Sequence, residues 1–122
     1  MKVLESAENY MEAILMIREE KGTVRSIDVV NHLGFSKPSV SVAMKQLETN
    51  GFIHRDRDGL IYLTDSGEEI AKMIYERHNL LTELFKSIGV NEETARQDAC
   101  KIEHDLSEET FECIKKAYAD HK

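Results

Sequence analysis

Between Ser26 and Leu63 the punctuation of the chain leaves few ways to fold. Ser26 can cap a short helix through Leu33, with Ile27, Val30 and Leu33 facing inward and Gly34 as its stop. Ser36 caps the next helix, with Pro38 in the first turn, where a missing N–H costs nothing. Val40, Ala43, Met44 and Leu47 form the apolar face of that helix, and Asn50-Gly51 closes it. Helix, short glycine-containing turn, helix is a helix-turn-helix layout. Two β-prone runs then flank Asp58-Gly59, a strong hairpin signal. A two-stranded hairpin with arginines at its tip, straight after a helix-turn-helix, reads as a wing.

The flanking segments are helical. Glu8 to Glu20 carries Tyr10, Met11, Ile14, Leu15 and Ile17 at amphipathic spacing, and Gly22 ends it. Thr64 or Ser66 caps a long helix to about Ile88, with Gly89 as terminator. Asn91 caps a helix that runs to about Asp105, with Glu92 and Glu93 favourable to its dipole. Ser107 starts a last helix ending near Ala119. Along the long helix Ile70, Met73, Ile74, Leu80, Leu81 and Leu84 exceed what a lone helix can bury, which predicts a hinge helix and a dimer surface.

Composition excludes some classes. No apolar run approaches the ~18 residues of a membrane span. Met1 to Ser6 lacks the apolar stretch of a secretory signal. Two cysteines, Cys100 and Cys113, are too few for a disulfide framework, so reduced thiols in a cytoplasm are the expectation. The net charge of −7 is uneven. Residues 1–63 carry eight Lys/Arg against nine Asp/Glu, and residues 64–122 carry eight against fourteen. Within 33–57, Lys37, Lys45, Arg55 and Arg57 outnumber Glu48 and Asp56, so the candidate DNA surface is locally basic.

The first turn of a recognition helix lies nearest the bases. Ser36, Ser39 and Ser41 can bond to phosphate or base edges, Lys37 can neutralise phosphate, and the Pro38 ring suits a thymine methyl. Lys45 lies further along, and Arg55 and Arg57 can reach an adjoining groove or backbone. With no Arg or Gln in that first turn, DNA shape is expected to carry much of the specificity.

A second constellation is chemical. Cys100, Glu103 and His104 stand at i, i+3 and i+4, the spacing of one helical face. Thiolate, carboxylate and imidazole together suit Fe(II), Co(II), Ni(II) or Zn(II), whereas magnesium or calcium would want oxygen alone. The blander readings are a small core cysteine and a solvated Glu-His pair.

Several segments together resemble the metal-dependent repressors of the diphtheria-toxin-repressor and manganese-transport-regulator type. They are Glu8-Asn9-Tyr10-Met11-Glu12, Ser36-Lys37-Pro38-Ser39-Val40-Ser41, the wing, Arg77-His78-Asn79-Leu80-Leu81, Ile88-Gly89-Val90 and Cys100 to Ser107. The resemblance covers nearly the whole chain. It implies a mainly α fold: a winged helix-turn-helix DNA-binding domain with a small β-hairpin wing (residues 1–72), then an α-helical metal-binding and dimerisation domain (residues 73–122), in the short form without an SH3-like domain. It further implies a homodimer whose binding to palindromic operator DNA is favoured by a divalent metal, repressing metal-homeostasis genes.

Carried onto this sequence, the ligand positions of that family fall on Asn9, Glu12, His78, Cys100, Glu103 and His104. Ligands drawn from both halves would turn binding free energy into ordering free energy. Asn9 stands where iron-type members have methionine and manganese-type members aspartate. Cys100 matches the iron type, and Glu12 the manganese type. Thr82 and Arg96 occupy two positions of the iron-type ancillary site. Thiolate softness tilts the expectation toward Fe(II) over Mn(II), with Co(II), Ni(II) and Zn(II) also compatible. Two other classes are a winged-helix regulator not gated by metal and a small metalloenzyme. Against the enzyme stand the lack of a substrate-binding loop and of a Gly-rich phosphate cradle, so no enzymatic activity is expected. His32 and His54 read as surface or packing residues, Cys113 as core or dimer interface, and His121 as part of a frayed end.

Overall fold

The computed structural model describes residues 5–120; Met1 to Leu4, and with them most of the segment read against a secretory signal, lie outside the described residues, as does His121. The elements run α1 (Glu5–Lys21), α2 (Ser26–Leu33), α3 (Lys37–Thr49), β1 (Ile53–Arg55), β2 (Ile61–Leu63), α4 (Asp65–Ser87), α5 (Glu92–Ile102) and α6 (Glu108–Asp120). The chain divides into two compact units, Met1–Lys72 and Met73–Lys122, with the boundary inside α4. The fold is mainly α with one small antiparallel hairpin. No helix among the described residues is long and apolar enough to cross a membrane.

In the first unit the amphipathic face of α1 is buried as its spacing predicts, with Tyr10, Met11, Ile14, Leu15 and Ile17 all in the core. Each such side chain contributes about 1.5–3 kcal/mol on removal from water. Helix α2 departs from expectation. Val29 is fully buried, whereas Ile27 is 43% exposed. At ~100° per residue Ile27 lies about 160° from Val29 but only about 60° from Val30, so the buried face centres on Val29 and leaves Ile27 beyond its edge. Arg25, not Ser26, takes the N-cap position. Asp28 reaches back to accept the Arg25 backbone N–H at 2.9 Å. Gly34 then turns the chain at φ +74°, in the left-handed region, and donates its N–H to the Val30 carbonyl at 2.8 Å.

Ser36 caps α3, its hydroxyl accepting the Ser39 N–H at 3.3 Å. Val40, Met44 and Leu47 point into the core. The hairpin pairs Ile53 with Leu63 and Arg55 with Ile61, so a five-residue loop, Asp56 to Leu60, joins the strands. The Asp56 carboxylate closes that loop by accepting the N–H groups of Asp58 and Leu60, both at 2.9 Å. Those bonds hold its carboxyl below the usual aspartate range, against a smaller opposing effect of desolvation. Two further bonds seat the wing: Ile61 N–H to the Val24 carbonyl at 2.8 Å, and Arg25 Nη1 to the Asp58 carbonyl at 2.6 Å. Thr64, not Ser66, caps α4, accepting the Gly67 N–H at 3.2 Å. Near the start of α4, Glu68 receives both terminal nitrogens of Arg18 at 2.6 and 2.7 Å, joining it to α1.

In the second unit Ile74, Leu81, Ala95, Ala99 and Phe111 are buried. Asn91 caps α5, accepting the Glu93 N–H at 3.0 Å, and Ser107 caps α6, accepting the Thr110 N–H at 3.1 Å. The expectation that α5 continues to Asp105 is corrected. The helix ends at Ile102, and Glu103, His104 and Asp105 form a turn. Of the α4 residues read as a dimer surface, Ile74 and Leu81 are instead buried, Ile70, Leu80 and Leu84 are half-buried, and Met73 is exposed; Ile88 and Ile102 are further exposed apolar residues of this unit.

Candidate metal centre and nucleic-acid interface

The turn after α5 and the middle of α4 assemble the chemistry of the second unit. His78 Nδ1 lies 3.0 Å from Glu103 Oε2. His104 Nε2 lies 3.4 Å from the other carboxylate oxygen, Oε1. The side chains of Glu103 and His104 are 0% and 1% exposed. Glu103 Oε1 has no hydrogen-bond partner among the described residues, so the His104 approach lies outside hydrogen-bonding geometry. A fully buried carboxylate is costly unless its oxygens are engaged. Two imidazoles around one buried carboxylate form a nitrogen–oxygen donor set of the kind that holds a first-row divalent metal.

The other sequence-predicted ligands are placed as follows. Cys100 lies in the last turn of α5 and is exposed. In the first unit, Glu12 is 6% exposed on α1, and Asn9 is half-buried one turn earlier. Thr82 uses its hydroxyl on the His78 carbonyl at 2.7 Å, and Arg96 pairs on the surface with Glu92 at 3.4 Å. Neither supplies an anionic ligand. Arg77, singled out only within a family motif, is a buried cation that donates to the main chain of the Glu103 turn.

In the first unit Ser36, Lys37, Pro38, Ser39, Ser41 and Lys45 are all exposed on α3 or its cap, and Arg57 is exposed in the wing loop. Arg55 differs. It is half-buried, with its guanidinium 2.9 Å from Glu48 Oε1 and its backbone N–H donating to Glu48 Oε2 at 3.2 Å. It ties β1 to α3. Sequence reasoning overlooked Val42, which is 58% exposed, and Gln46, which with Lys45, Thr49 and Asn50 line a shallow hollow on α3. The signal was available, since Val42 is out of phase with Val40, Met44 and Leu47.

A helix-turn-helix with a hairpin behind it, followed by a helical unit carrying a buried His-Glu-His cluster, defines a winged-helix DNA-binding protein with a metal-competent second domain. Comparison with known proteins agrees. The family model "Iron dependent repressor, N-terminal DNA binding domain" matches residues 2–59, and "Iron dependent repressor, metal binding and dimerisation domain" matches residues 64–122. The transcriptional regulator MntR of Escherichia coli O6:H1 is 35% identical over 111 residues, covering 91% of this chain and 72% of its own. Among solved structures, T. acidophilum IdeR aligns with a TM-score of 0.80 at 24% identity, over 98% of this chain and 55% of that one. A manganese-dependent transcriptional repressor in complex with manganese aligns with a TM-score of 0.81 at 25% identity, over 91% of this chain and 51% of its own. This chain thus spans about half the length of those two solved chains. The protein belongs to the iron-dependent repressor family, which includes the diphtheria-toxin-repressor and manganese-transport-regulator types. These are transcriptional regulators, not enzymes.

Proposed function

We propose that this protein is a homodimeric, cytoplasmic repressor that binds palindromic operator DNA when it holds a divalent transition metal, and that it controls metal-homeostasis genes. The observation that carries the reading is the His78–Glu103–His104 cluster, built around a fully buried carboxylate, in a chain whose other unit is a winged helix. Glu12, His78, Cys100, Glu103 and His104 are the proposed ligands, with Asn9 as a weaker amide donor. When bound, the metal supplies positive charge and fixed donor geometry that link the ligand-bearing segments. Ser36, Lys37, Pro38, Ser39, Ser41, Lys45 and Arg57 face the DNA, and Val42 adds an apolar contact suited to a thymine methyl. Arg55 acts first as a strut under the wing. Half-sites one helical turn apart would lie about 34 Å centre to centre.

Manganese(II) is the favoured metal. The buried donors are carboxylate and imidazole, Glu12 follows the manganese-type pattern, and the E. coli relative and the manganese-bound structure support the same direction. Iron(II) is the second reading, carried by the Cys100 thiolate. The test is selection of genomic fragments on the immobilised protein with Mn(II), followed by elution with chelator. Enrichment of a palindromic sequence released by the chelator is expected. Equal retention with and without metal would mean a winged-helix regulator not gated by metal.

A further inference from the structure

We infer that Arg77 is the positioning residue of the metal centre: it fixes the turn that presents Glu103 and His104. The inference rests on the metal-binding reading above. Arg77 is 6% exposed on α4. Its Nη1 donates to the Glu103 carbonyl at 3.0 Å and to the Leu106 carbonyl at 2.7 Å. Those acceptors bracket the segment that follows α5. The end of a helix leaves carbonyls without helical partners, and here one charged group serves the chain on both sides of His104. The guanidinium carbon also stands 5.2 Å from the centroid of the Phe111 ring, so its seat includes α6.

A cation in this place is expensive for stability alone. Nε has no hydrogen-bond partner among the described residues. Burying a guanidinium incurs a desolvation cost that an apolar side chain of similar volume would avoid. What the apolar side chain cannot do is hold two carbonyls. Arg77 also precedes His78 directly, so α4 presents the clamp and an imidazole together. The clamp grips the Glu103 main chain while His78 meets the Glu103 carboxylate at 3.0 Å. Metal ligands tolerate displacements of only a few tenths of an ångström, so freedom in this turn becomes lost affinity.

The test compares the full chain with Arg77→Lys, Arg77→Met and Phe111→Leu. The last loosens the same packing and leaves both carbonyl bonds in place. Mn(II) affinity, the visible spectrum of the Co(II)-loaded protein and the metal-free melting temperature are measured on each. Loss of an outer residue that orients ligands weakens binding by about 10–100-fold, which is expected for Arg77→Met with an altered Co(II) spectrum. The shorter ammonium of Arg77→Lys should fall between it and the wild type. Phe111→Leu should lower the melting temperature while keeping the Co(II) spectrum. A folded Arg77→Lys or Arg77→Met protein that binds Mn(II) as the wild type does overturns the assignment. So does a single relation between affinity and melting temperature that includes Phe111→Leu. A wild-type chain that binds no metal overturns the functional reading instead.

Discussion

Replacing Gly67 with alanine opposes two effects of known size, and the structure decides which wins. Gly67 is the third residue of α4, and helix propensity alone favours alanine by up to about 1 kcal/mol, less near a helix end. A Cβ at this position, however, would collide with the Phe52 carbonyl oxygen, with the Phe52 carbonyl carbon at 3.0 Å and Leu63 Cδ2 at 3.2 Å beside it. The main obstacle is backbone. The Phe52 carbonyl is held by the Thr64 N–H at 3.0 Å, and Phe52 leads directly into β1. Relief must therefore shift the base of the wing. Overpacking of a rigid site costs about 1–3 kcal/mol, and a contact this close belongs at the upper end, so Gly67→Ala is expected to destabilise by a net of about 2 kcal/mol. At about 3–6 °C per kcal/mol for a chain of this size, the melting temperature should fall by roughly 6–12 °C. Thermal and urea unfolding followed by circular dichroism measure it, with an unchanged urea m-value showing that the loss is in the native state. A melting temperature equal to or above that of the wild type would refute the steric argument.

Other expectations follow from the same geometry. Arg18 holds the Glu68 carboxyl below its usual value of 4.5, chiefly through their hydrogen bonds. The folded-state value is the lower one, so this stabilisation is complete above the ordinary glutamate range and is lost as pH falls through the lowered value. The melting temperature of Glu68→Gln should therefore lie below that of the wild type at neutral pH, with the gap closing in acid. For DNA binding, Lys37→Ala and Arg57→Ala should each reduce the slope of log affinity against log salt by about one. Arg55→Ala should mainly lower thermal stability by freeing Glu48. Cys100→Ala should weaken Fe(II) and Zn(II) more than Mn(II) in competition titrations, and unchanged affinity for all three would exclude the thiolate as a ligand.

What could be read from the sequence was mostly local. The Ser36 cap, Pro38 in the first turn, Gly34 and the Asn91 and Ser107 caps act over three or four residues, and each lies where its side-chain chemistry puts it. The face of α2 was misphased because eight residues with four apolar positions admit two faces, and packing chose Val29 over Ile27. The early end of α5 was hidden because Arg77, which takes the Glu103 and Leu106 carbonyls, lies 26 and 29 residues away. Likewise Arg55 reads as a loose basic residue until Glu48 meets it across the junction of α3 and β1. The spacing of Glu103 and His104 was informative although the helix assumed beneath them is a turn. The resemblance named His78, and the fold brings its ring to the Glu103 carboxylate.

The central claim is that metal held by the buried cluster tightens DNA binding. Anaerobic fluorescence anisotropy on the selected DNA measures it, in chelator and with Mn(II) or Fe(II), for the wild-type chain beside Glu103→Gln and His104→Ala. Allosteric coupling of ordinary size predicts a tightening of about 5–150-fold by metal in the wild type and little or none in the two variants. Equal affinity with chelator and with either metal would contradict the account.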